Sequence, residues 1–395
     1  MPIHVLIAGG GVGGLALAQA LRRAGVAVDV FERDASASFR GQGYRIHIDD
    51  NGGAALGRCL PAGLFRAYLA TSNRAPAPRI SGVDHQLNEL FSRDAAGPQH
   101  DPETAHSAVN RLTLREILLS GLDGVVHYGA EVTGAEADGE EALLRFADGS
   151  SVRGDVVVGA DGVGSSVRRE LLPGHGPQDT GLRIVYGRTL LTAERREWLP
   201  DRFFEGFTAV AGPEGSMLAV GAMRPRRPPE EAAALSPGVR LSPFAPYVMW
   251  ALVAPQAQWP VPGAELPGGS PSGAHRHALS LLSGWHPVLR RLVAEAEVPD
   301  CFPLAVQTVR EVPRLPDARI TLLGDAVHAM PPAGGAGANT ALRDAAVLAD
   351  HLVAADAGAT EVRGALAGYA REMRRYAAEA VQQSLHNAGL EALPT

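Results

Sequence analysis

Three glycines near the start of the chain have the spacing of a phosphate-binding turn. Gly9, Gly11 and Gly14 form the pattern G-x-G-x-x-G, and Glu32 follows about twenty residues later, as the pattern requires. The first glycine permits a tight turn, the second lets the backbone approach a pyrophosphate, and the third lets a helix pack closely on a strand. Glu32 can accept a hydrogen bond from a ribose hydroxyl. These residues predict a dinucleotide-binding site.

The elements needed to position this turn surround it in the required order. Residues 3–8 are a short apolar run typical of a buried parallel strand, and residues 15–24 are helix formers that stop at Gly25. Residues 26–31 form a second apolar strand, with Glu32 at its end. A glycine-rich turn in an unrelated α/β protein is the alternative, but the complete strand–turn–helix–strand order favours dinucleotide binding.

A second cluster follows the buried apolar run 320–323. Asp325 comes directly after Gly324, where it would project from the carboxyl end of a parallel sheet, the edge at which open α/β sheets bind ligands. The prolines after it stiffen the turn, and its glycines let a ligand ring lie against the backbone. A helix predicted to begin near Gly337 would direct N-terminal N–H groups to the same place. Such groups suit negative charge on a bound ligand.

The strand pattern predicts an α/β fold in which a Rossmann-like lobe (βαβ, parallel sheet) is discontinuous in sequence. Its strands are residues 3–8, 27–32, 155–160 and 320–323, and short alternating runs between 182 and 252 predict an inserted, mainly antiparallel β-sheet lobe. Residues 339–390 are almost wholly helical in pattern. The predicted boundaries are 1–71, 106–180 and 279–345 for the nucleotide-binding lobe, 72–105 and 181–278 for the sheet lobe, and 346–395 for C-terminal helices packed on the first lobe.

Composition excludes several classes of function. The net charge of −7 over 395 residues argues against a nucleic-acid or anionic-membrane partner, and no apolar run reaches the ~20 residues that span a membrane. The absence of lysine excludes Schiff-base chemistry. The thirteen histidines lack metal-ligand spacing, so no metal site is predicted. Two cysteines and the lack of a basic segment before residue 3 predict a cytoplasmic protein without a signal peptide.

Three sequence boxes together resemble the single-component, FAD-dependent aromatic hydroxylases, the class A flavoprotein monooxygenases. The first is the glycine turn with Glu32, and the second is Gly159-Ala160-Asp161-Gly162. The third is Gly324-Asp325 with His328, Pro332, Gly335, Gly337 and Asn339. The boxes span residues 9–339 and occur in the family's order. Within the family, the chain is most similar to the group of salicylate hydroxylases and tetracycline-inactivating monooxygenases.

This resemblance implies non-covalent FAD in the first lobe, which becomes an FAD-binding lobe, and a transiently bound NADPH or NADH. Residues implied to hold the pyrophosphate are Gly9, Gly11, Val12, Gly13 and Gly14. Residues implied at the adenosine end are Glu32, Arg33 and Val132. Residues implied along the rest of the cofactor are Arg111, Asp161, Gly162, Gly324, Asp325, Pro332, Gly335, Ala336, Gly337, Ala338 and Asn339. Asp161-Gly162 is implied to serve the nicotinamide cofactor as well.

The resemblance also implies a reaction. NAD(P)H reduces FAD, O₂ forms a flavin 4a-hydroperoxide, and one oxygen atom passes to a phenolic or polyketide-like aromatic molecule. Such enzymes often need the substrate as a phenolate, so Tyr186 and Arg188, which alternate along run 182–191, are candidates to bind it or remove its proton. A polar, solvated sheet face is an equal alternative for this pair.

Arg45 and His47 are further candidates, since they share one face of the alternating segment 44–49. For Arg40 and Arg45, a role near the FAD phosphates or the flavin competes with a surface salt bridge. His47 and His328 are interpreted as structural rather than as an acid or base.

Other functions on this scaffold remain open at the sequence level. An epoxidase, a Baeyer–Villiger-type oxygenase or an antibiotic-inactivating oxygenase would carry the same boxes, because the pocket decides the outcome. A non-catalytic flavin- or ligand-binding protein is the alternative outside enzymes. Halogenases and amine oxidases are rejected, because their essential lysines have no counterpart here. The sequence does not choose between a monomer and a homodimer, or between NADH and NADPH.

Overall fold

The computed structural model describes residues 2–37, 44–74, 79–94, 107–259 and 270–391. Within these ranges the strands are, in chain order, β1 (His4–Ala8), β2 (Ala27–Glu32), β3 (Arg45–Ile48), β4 (Arg79–Asp84), β5 (Glu89–Asp94), β6 (Ser107–Asn110), β7 (Val126–Tyr128), β8 (Val132–Asp138), β9 (Glu141–Phe146), β10 (Ser151–Gly154), β11 (Val156–Gly159), β12 (Gln178–Leu190), β13 (Gly206–Ala211), β14 (Met217–Met223), β15 (Tyr247–Pro255), β16 (Phe302–Thr308) and β17 (Ile320–Leu322). The α-helices are α1 (Val12–Ala24), α2 (Asp50–Cys59), α3 (Ala62–Thr71), α4 (Arg111–Leu119), α5 (Ser166–Leu171), α6 (Ala193–Trp198), α7 (Arg202–Glu205), α8 (Pro229–Ala232), α9 (Pro271–Leu281), α10 (Pro287–Ala294), α11 (Asp325–His328), α12 (Ala336–Asp356) and α13 (Val362–Asn387).

The first lobe is built on a parallel sheet with strand order β17-β11-β1-β2-β7. Its strands all pair in parallel, so β1, β2, β11 and β17 end at the same edge. The central strands are buried in one hydrophobic core with α1, α4, α12 and α13. The four predicted strands are confirmed, and the structure adds β7 at one edge.

The second lobe is a seven-stranded sheet with order β16-β12-β15-β14-β13-β4-β5. Its neighbours pair antiparallel, except that β4 runs parallel to β13. The inserted antiparallel sheet is therefore confirmed, with β16 as a strand that the sequence pattern did not reveal. One face, here called the back face, packs Trp250 and its neighbours against α9 and α10.

The opposite face of this sheet, here called the front face, meets the first lobe. Tyr186 and Met249 lie on it in a cluster that includes Tyr44, just before β3. β3 and β6 form a two-stranded antiparallel ribbon between the lobes. The ribbon reaches the sheet through Asn110, whose Nδ2 donates to the buried Tyr247 hydroxyl at 3.1 Å. The alternating pattern of residues 44–49 predicts an edge strand or an extended active-site segment. In the structure this segment is part of the joint between the lobes.

Two predicted element boundaries differ in the structure. The sequence pattern over residues 52–69 predicts a single helix, but the structure has two, α2 and α3, because Leu60 is extended (φ −84°, ψ 145°) before Pro61. A residue before proline is disfavoured in the α conformation, so the helix ends there. The helix expected near Gly337 begins at Ala336, after Gly335 in the left-handed conformation (φ 69°).

The packing also bears on where one lobe ends and the other begins. α10 packs on the back face of the seven-stranded sheet, and β16 belongs to that sheet. These contacts favour assigning residues 271–308 to the sheet lobe, rather than dividing them at 278/279 as the sequence suggested. α12 and α13 share the core of the first lobe.

We expect Asn110 to stabilise the joint between the lobes in two ways. Its Oδ1 caps α4 by accepting from the amides of Leu112 and Thr113, and its Nδ2 holds Tyr247. Asn110→Ala should therefore lower the free energy of unfolding by about 2 kcal/mol, roughly one for the cap and one for the buried hydrogen bond. Denaturant unfolding measures this change.

Thr192→Ala is the matched control, because Thr192 caps the short α6, in which no residue is buried. Its effect should stay below that of Asn110→Ala. A double-mutant cycle with Tyr247→Phe should show coupling between Asn110 and Tyr247; additive effects would contradict the proposed link.

Candidate functional site

The glycine turn after β1 is shaped by close backbone contacts. A Cβ at Gly9 (φ 104°) would lie 2.4 Å from the carbonyl oxygen of Ala160, and one at Gly14 would lie 2.2 Å from the carbonyl oxygen of Gly9. No side chain caps α1 at Gly11. A Cβ at Gly11 would have the carbonyl oxygen of Ala160, 4.0 Å away, as its nearest neighbour. The first N–H groups of α1 are thus left for an external anion, which fits a pyrophosphate.

Glu32 lies at the end of β2 beside the same turn. Its buried carboxylate accepts from the amide of Gly10 at 2.8 Å and from the amide of Asp34 at 2.8 Å. These bonds aim the acid at the glycine turn, while Arg33 next to it is exposed. Val12 and Gly13 open α1, so the first box is assembled as one unit.

The second box follows β11 and lies against the first. Asp161 Oδ2 accepts from the amide of Ser166, the first residue of α5, at 2.8 Å, while its Oδ1 is buried without a partner. The Ser166 hydroxyl also donates to the carbonyl of Val132 at 2.7 Å. Gly162 follows with φ 77°. The Asp-Gly pair therefore orders the backbone beside the glycine turn.

A buried arginine that sequence reasoning missed joins the second box to the third. Arg168 Nη2 donates to the carbonyl of Val163 at 2.8 Å, and its Nη1 donates to the carbonyl of Ala326 at 3.1 Å. Burial lowers the pKa of Arg168, and nearby Asp161 counters part of this effect. An arginine inside a short helix carries no signal of such a role in the sequence.

Asp325 begins α11 at the carboxyl edge of the parallel sheet, as predicted. Asp325 is exposed to solvent. Burial raises the pKa of Asp325, and the positive charges of His328 and Arg111 partly offset this effect. No hydrogen bond joins its carboxylate to another residue in the described ranges. It is therefore available to accept from ligand hydroxyls.

The N-terminus of α12 lies beside Asp325. Gly335 precedes it without a side-chain cap, and Gly337, in its first turn, lies close to Asp325 Oδ1. Ala336, Gly337 and Ala338 are partly exposed, and Pro332 is exposed. Free N–H groups at the start of a 21-residue helix suit a developing negative charge.

Asn339 uses its side chain to attach this helix to the ribbon. Its Nδ2 donates to the carbonyls of His47 (3.0 Å) and Gly335 (2.9 Å), and its Oδ1 accepts from the amide of Asp49 at 3.0 Å. His47 consequently lies against Gly335, where a Cβ would come 3.1 Å from the Cβ of His47. The structure brings His47 to the predicted flavin cradle and gives the Asn339 side chain backbone partners.

Behind the third box lies a fully buried polar network. Asp344 accepts from the amide of Gly324 at 2.8 Å, from His328 Nε2 at 2.6 Å and from the Tyr376 hydroxyl at 2.7 Å. Burial lowers the pKa of His328, but the charge and hydrogen bond of Asp344, together with the charge of Asp325, outweigh it, so the net shift is upward. His328 is thus a scaffold residue, as interpreted from sequence, and its partners lie on α12 and α13.

Tyr186 lies in an aromatic cluster on the front face. Its ring stacks on Phe302 with centroids 5.3 Å apart, and Tyr44 contacts both rings at 6.0 and 4.8 Å. Burial raises the pKa of Tyr186 to about 12, with Arg111 opposing the shift. Tyr186 therefore keeps its proton at neutral pH and can donate a hydrogen bond. Its surroundings are apolar, unlike the solvated polar face considered as an alternative.

Arg188, two residues further along β12, is already paired. Its Nε donates to Asp300 Oδ2 at 2.7 Å, and Asp300 also accepts the Tyr44 hydroxyl through its carbonyl. Arg188 and Asp300 line a cavity of about 370 Å³ together with Leu190 and Phe244. The carboxylate neutralises this arginine, so a second anion gains little from it.

Arg45 and Arg111 lie where the ribbon meets the two lobes. Arg45 Nη2 donates to the carbonyl of Gly206 at 3.1 Å, on the sheet lobe. Arg111 is exposed and lies near enough to both Asp325 and Tyr186 to affect their pKa values. Arg111 therefore connects the cofactor side to the front face. Arg40 lies outside the described residues.

Two classes of feature are not found in the described ranges. No helix there combines the length and apolar character needed to span a membrane. No group of three or more His, Cys, Asp and Glu side chains in those ranges could hold a metal ion.

We expect Asp344→Asn to destabilise the protein most at low pH. The raised pKa of His328 means that its charge stabilises the native state below pH ~6.5 and that this contribution is lost as pH rises through the native-state value. The free energy of unfolding of Asp344→Asn should be about 3 kcal/mol below that of wild type at pH 6, and the difference should be smaller at pH 9. Denaturant unfolding across this pH range measures the difference.

Tyr369→Phe is the control for this experiment. The Tyr369 hydroxyl is also buried on α13, but it donates to the carbonyl of Leu322 at 2.9 Å. Tyr369→Phe should lower the free energy of unfolding by about 1 kcal/mol, with little dependence on pH over that range. An equal loss from Asp344→Asn at both pH values would show that His328 is not charged in the native state.

Two family models match the chain. One, described as an NAD(P)-binding Rossmann-like domain, matches residues 7–59 and covers the glycine turn and Glu32. The other, described as an FAD binding domain, matches residues 299–384 and covers the third box and the Asp344 network.

Relatives of known activity match nearly the whole chain. It is 31% identical over 364 residues to 3-amino-4-hydroxybenzoate 2-monooxygenase PtmB3 of Streptomyces platensis, covering 89% of this chain and 80% of the relative. It is 27% identical over 398 residues to salicylate hydroxylase of Pseudomonas putida, covering 98% and 85%. Dual O-methyltransferase/FAD-dependent monooxygenases of Phaeosphaeria nodorum, Cercospora beticola and Cercospora nicotianae also match, and the chain spans 40 to 45% of their length.

A solved structure supports the same assignment. A Photorhabdus luminescens protein described as an FAD-containing monooxygenase has 30% sequence identity and a TM-score of 0.82, with 98% of this chain and 97% of that chain covered. The resemblance carried by the three boxes is therefore confirmed. The chain belongs to the FAD-dependent monooxygenases of the single-component, class A aromatic-hydroxylase type.

Proposed function

We propose that this protein is an NAD(P)H- and O₂-dependent FAD monooxygenase that hydroxylates a phenolic or polyketide-like aromatic small molecule. The observation behind the proposal is that the predicted cofactor site lies near the aromatic front face of the sheet lobe. An accessible, unbonded Asp325 and an uncapped helix N-terminus lie near Arg111, and Arg111 in turn lies near the aromatic front face at Tyr186. A cofactor at this site would thus face a ligand on the front face.

We assign the FAD pyrophosphate to Gly9–Gly14 and the start of α1, the adenosine ribose to Glu32, and the ribityl hydroxyls to Asp325. The isoalloxazine is assigned to Pro332 and the backbone of residues 335–339. When bound, FAD would accept hydride from NAD(P)H and supply the oxygen chemistry that protein side chains lack. NADH or NADPH would bind only transiently, because no second nucleotide-binding βαβ unit is evident in the sequence.

The chain's own residues would orient the substrate and keep water away. Tyr186, Phe302 and Met249 offer an apolar, partly aromatic surface on which a ring can stack. The Tyr186 hydroxyl, protonated at neutral pH, can donate a hydrogen bond to a phenolic or phenolate oxygen. The N–H groups at the start of α12 would stabilise negative charge at the cofactor.

The relatives support an aromatic substrate by their names, since they act on salicylate and on 3-amino-4-hydroxybenzoate. We further propose a cytoplasmic protein, consistent with Cys59 and Cys301, which are both buried and free. A monomer and a homodimer are both compatible with this function.

The first experiment is the visible spectrum of the purified protein, followed by anaerobic NADH or NADPH and then air. We expect flavin bands that one nicotinamide bleaches and that return with O₂, with bleaching accelerated by members of a phenol library. A flavin spectrum indifferent to both nicotinamides, with and without the library, would indicate a binding protein. A colourless protein that FAD cannot reconstitute would overturn the proposal.

Asp325→Asn should weaken FAD binding without loosening the fold. The substitution replaces a charged acceptor of hydrogen bonds by a neutral amide. The proposed bonds from the ribityl hydroxyls become weaker, so the Kd for FAD should rise by roughly tenfold or more. Fluorescence titration of the apoprotein measures it, and the melting temperature of the apoprotein should stay unchanged. Asp317→Asn, at an exposed position outside the site, is the control. An unchanged Kd for FAD would remove Asp325 from the proposed site.

A further inference from the structure

Two arginines described by the structure, Arg188 on the front face and Arg45 on the ribbon, differ in whether a carboxylate neutralises them. Arg188 is paired with the Asp300 carboxylate at 2.7 Å and lies over the Tyr247 ring at 5.6 Å. Arg45 reaches the same region from β3, yet no carboxylate of the described ranges lies within ion-pair distance of it. The two arginines therefore differ in what they can offer a ligand.

The guanidinium of Arg45 is held in place but is left electrostatically unsatisfied. Nη2 donates to the carbonyl of Gly206 at 3.1 Å, whereas Nε is buried with no hydrogen-bond partner. Burial lowers the pKa of Arg45 to about 10, and the nearby Tyr247 hydroxyl only partly offsets this shift. Arg45 therefore still carries its charge at neutral pH.

The surroundings of this charge are poor in polar groups. Ala219, Met223 and Met249 form the front-face cluster with Tyr247. Gly221 lies directly beside the guanidinium, and a Cβ there would come 3.1 Å from both Cζ and Nη1 of Arg45. Burying a cation without an anion is costly, so a site that retains one is suited to an anionic ligand.

We propose that Arg45 binds an anionic substituent, a carboxylate or an acidic phenolate, of an aromatic substrate whose ring lies on the front face. This inference rests on the proposed function and specifies its substrate class. A planar guanidinium donates two parallel hydrogen bonds to a carboxylate, which would also fix the position of the ring relative to the cofactor.

An anion could also come from the cofactor, as a phosphate or as reduced flavin. The position of Arg45 favours the substrate. Its tip lies at Gly206 and Gly221, on β13 and β14 of the sheet lobe, whereas the groups assigned to FAD are the glycine turn and the start of α12. The experiment below separates the two sources.

The test compares acids with their neutral amides on the FAD-loaded protein. Benzoate and benzamide, and 2-naphthoate and 2-naphthamide, are titrated while the flavin absorbance is followed. Wild type should bind the acid roughly tenfold or more tightly than the amide. Arg45→Met, which keeps the apolar stem, should lose this preference while its Kd for FAD stays within about threefold of wild type. Arg276→Met, at an exposed position on α9, should keep the preference.

Gly221→Ala provides a second variant that keeps the charge. The added methyl group would come 3.1 Å from the guanidinium and from the Gly206 carbonyl that holds it, so the guanidinium must shift by a few tenths of an ångström. The preference for acids should therefore fall while binding of amides changes little. This variant also decides the matter if Arg45→Met does not fold.

Equal binding of acid and amide by wild type, or binding of neither, would overturn the inference. An intact preference in Arg45→Met with weakened FAD or NAD(P)H binding would assign the arginine to the cofactor instead. Failure of the proposed function is visible separately, as the lack of nicotinamide-dependent bleaching in a protein that still prefers acids.

Discussion

The geometry of the cofactor side depends on one buried carboxylate. Asp344, inside α12, accepts hydrogen bonds from the amide of Gly324, the imidazole of His328 and the hydroxyl of Tyr376. These three donors belong to the turn after β17, to α11 and to α13. A buried anion with three donors tolerates little displacement, because any lost partner leaves charge unsatisfied in a low-dielectric interior. Asp325 lies between Gly324 and His328 in the sequence, so this network fixes its position.

A second constraint connects this network to the front face. The Asn339 side chain ties the start of α12 to the backbone of β3 on both sides of Ile48. β3 pairs with β6, and Asn110 at the end of β6 holds Tyr247 of the sheet lobe. The ribbon therefore sets the spacing between the cofactor side and the substrate side. Arg45 and His47 are on this ribbon, so both lie between the cofactor side and the substrate side.

Sequence patterns were sufficient for elements whose chemistry is local. The glycine turn, its flanking strands and Asp325 after a buried strand each lie within a few residues of the group that explains them. The strands of the discontinuous parallel sheet were recognisable because each is a short apolar run. The pattern missed β16, in which Pro303 and exposed Leu304 interrupt the apolar alternation. It also merged α2 with α3 across Pro61.

The roles of individual polar residues could not be obtained in this way. Arg45 and Arg188 have the same side chain and similar alternating contexts, but Asp300 lies 112 residues from Arg188 and neutralises it. Arg168 and Asp344 are ordinary helix residues in the sequence. Ala326 lies 158 residues from Arg168, and the three partners of Asp344 lie 16, 20 and 32 residues from it. Such pairings depend on which side chains the folded chain brings within hydrogen-bond distance.

The sequence by itself therefore determined the class of fold, the dinucleotide turn and the family, since these depend on local backbone requirements and periodic burial. Among the described residues, the tertiary structure alone decided that Arg188 is paired, that Asp325 is available and that Arg45 has no carboxylate partner beside an apolar sheet face. The physical reason is that charge and desolvation act through space. Their outcome is set by neighbours that no spacing along the chain specifies.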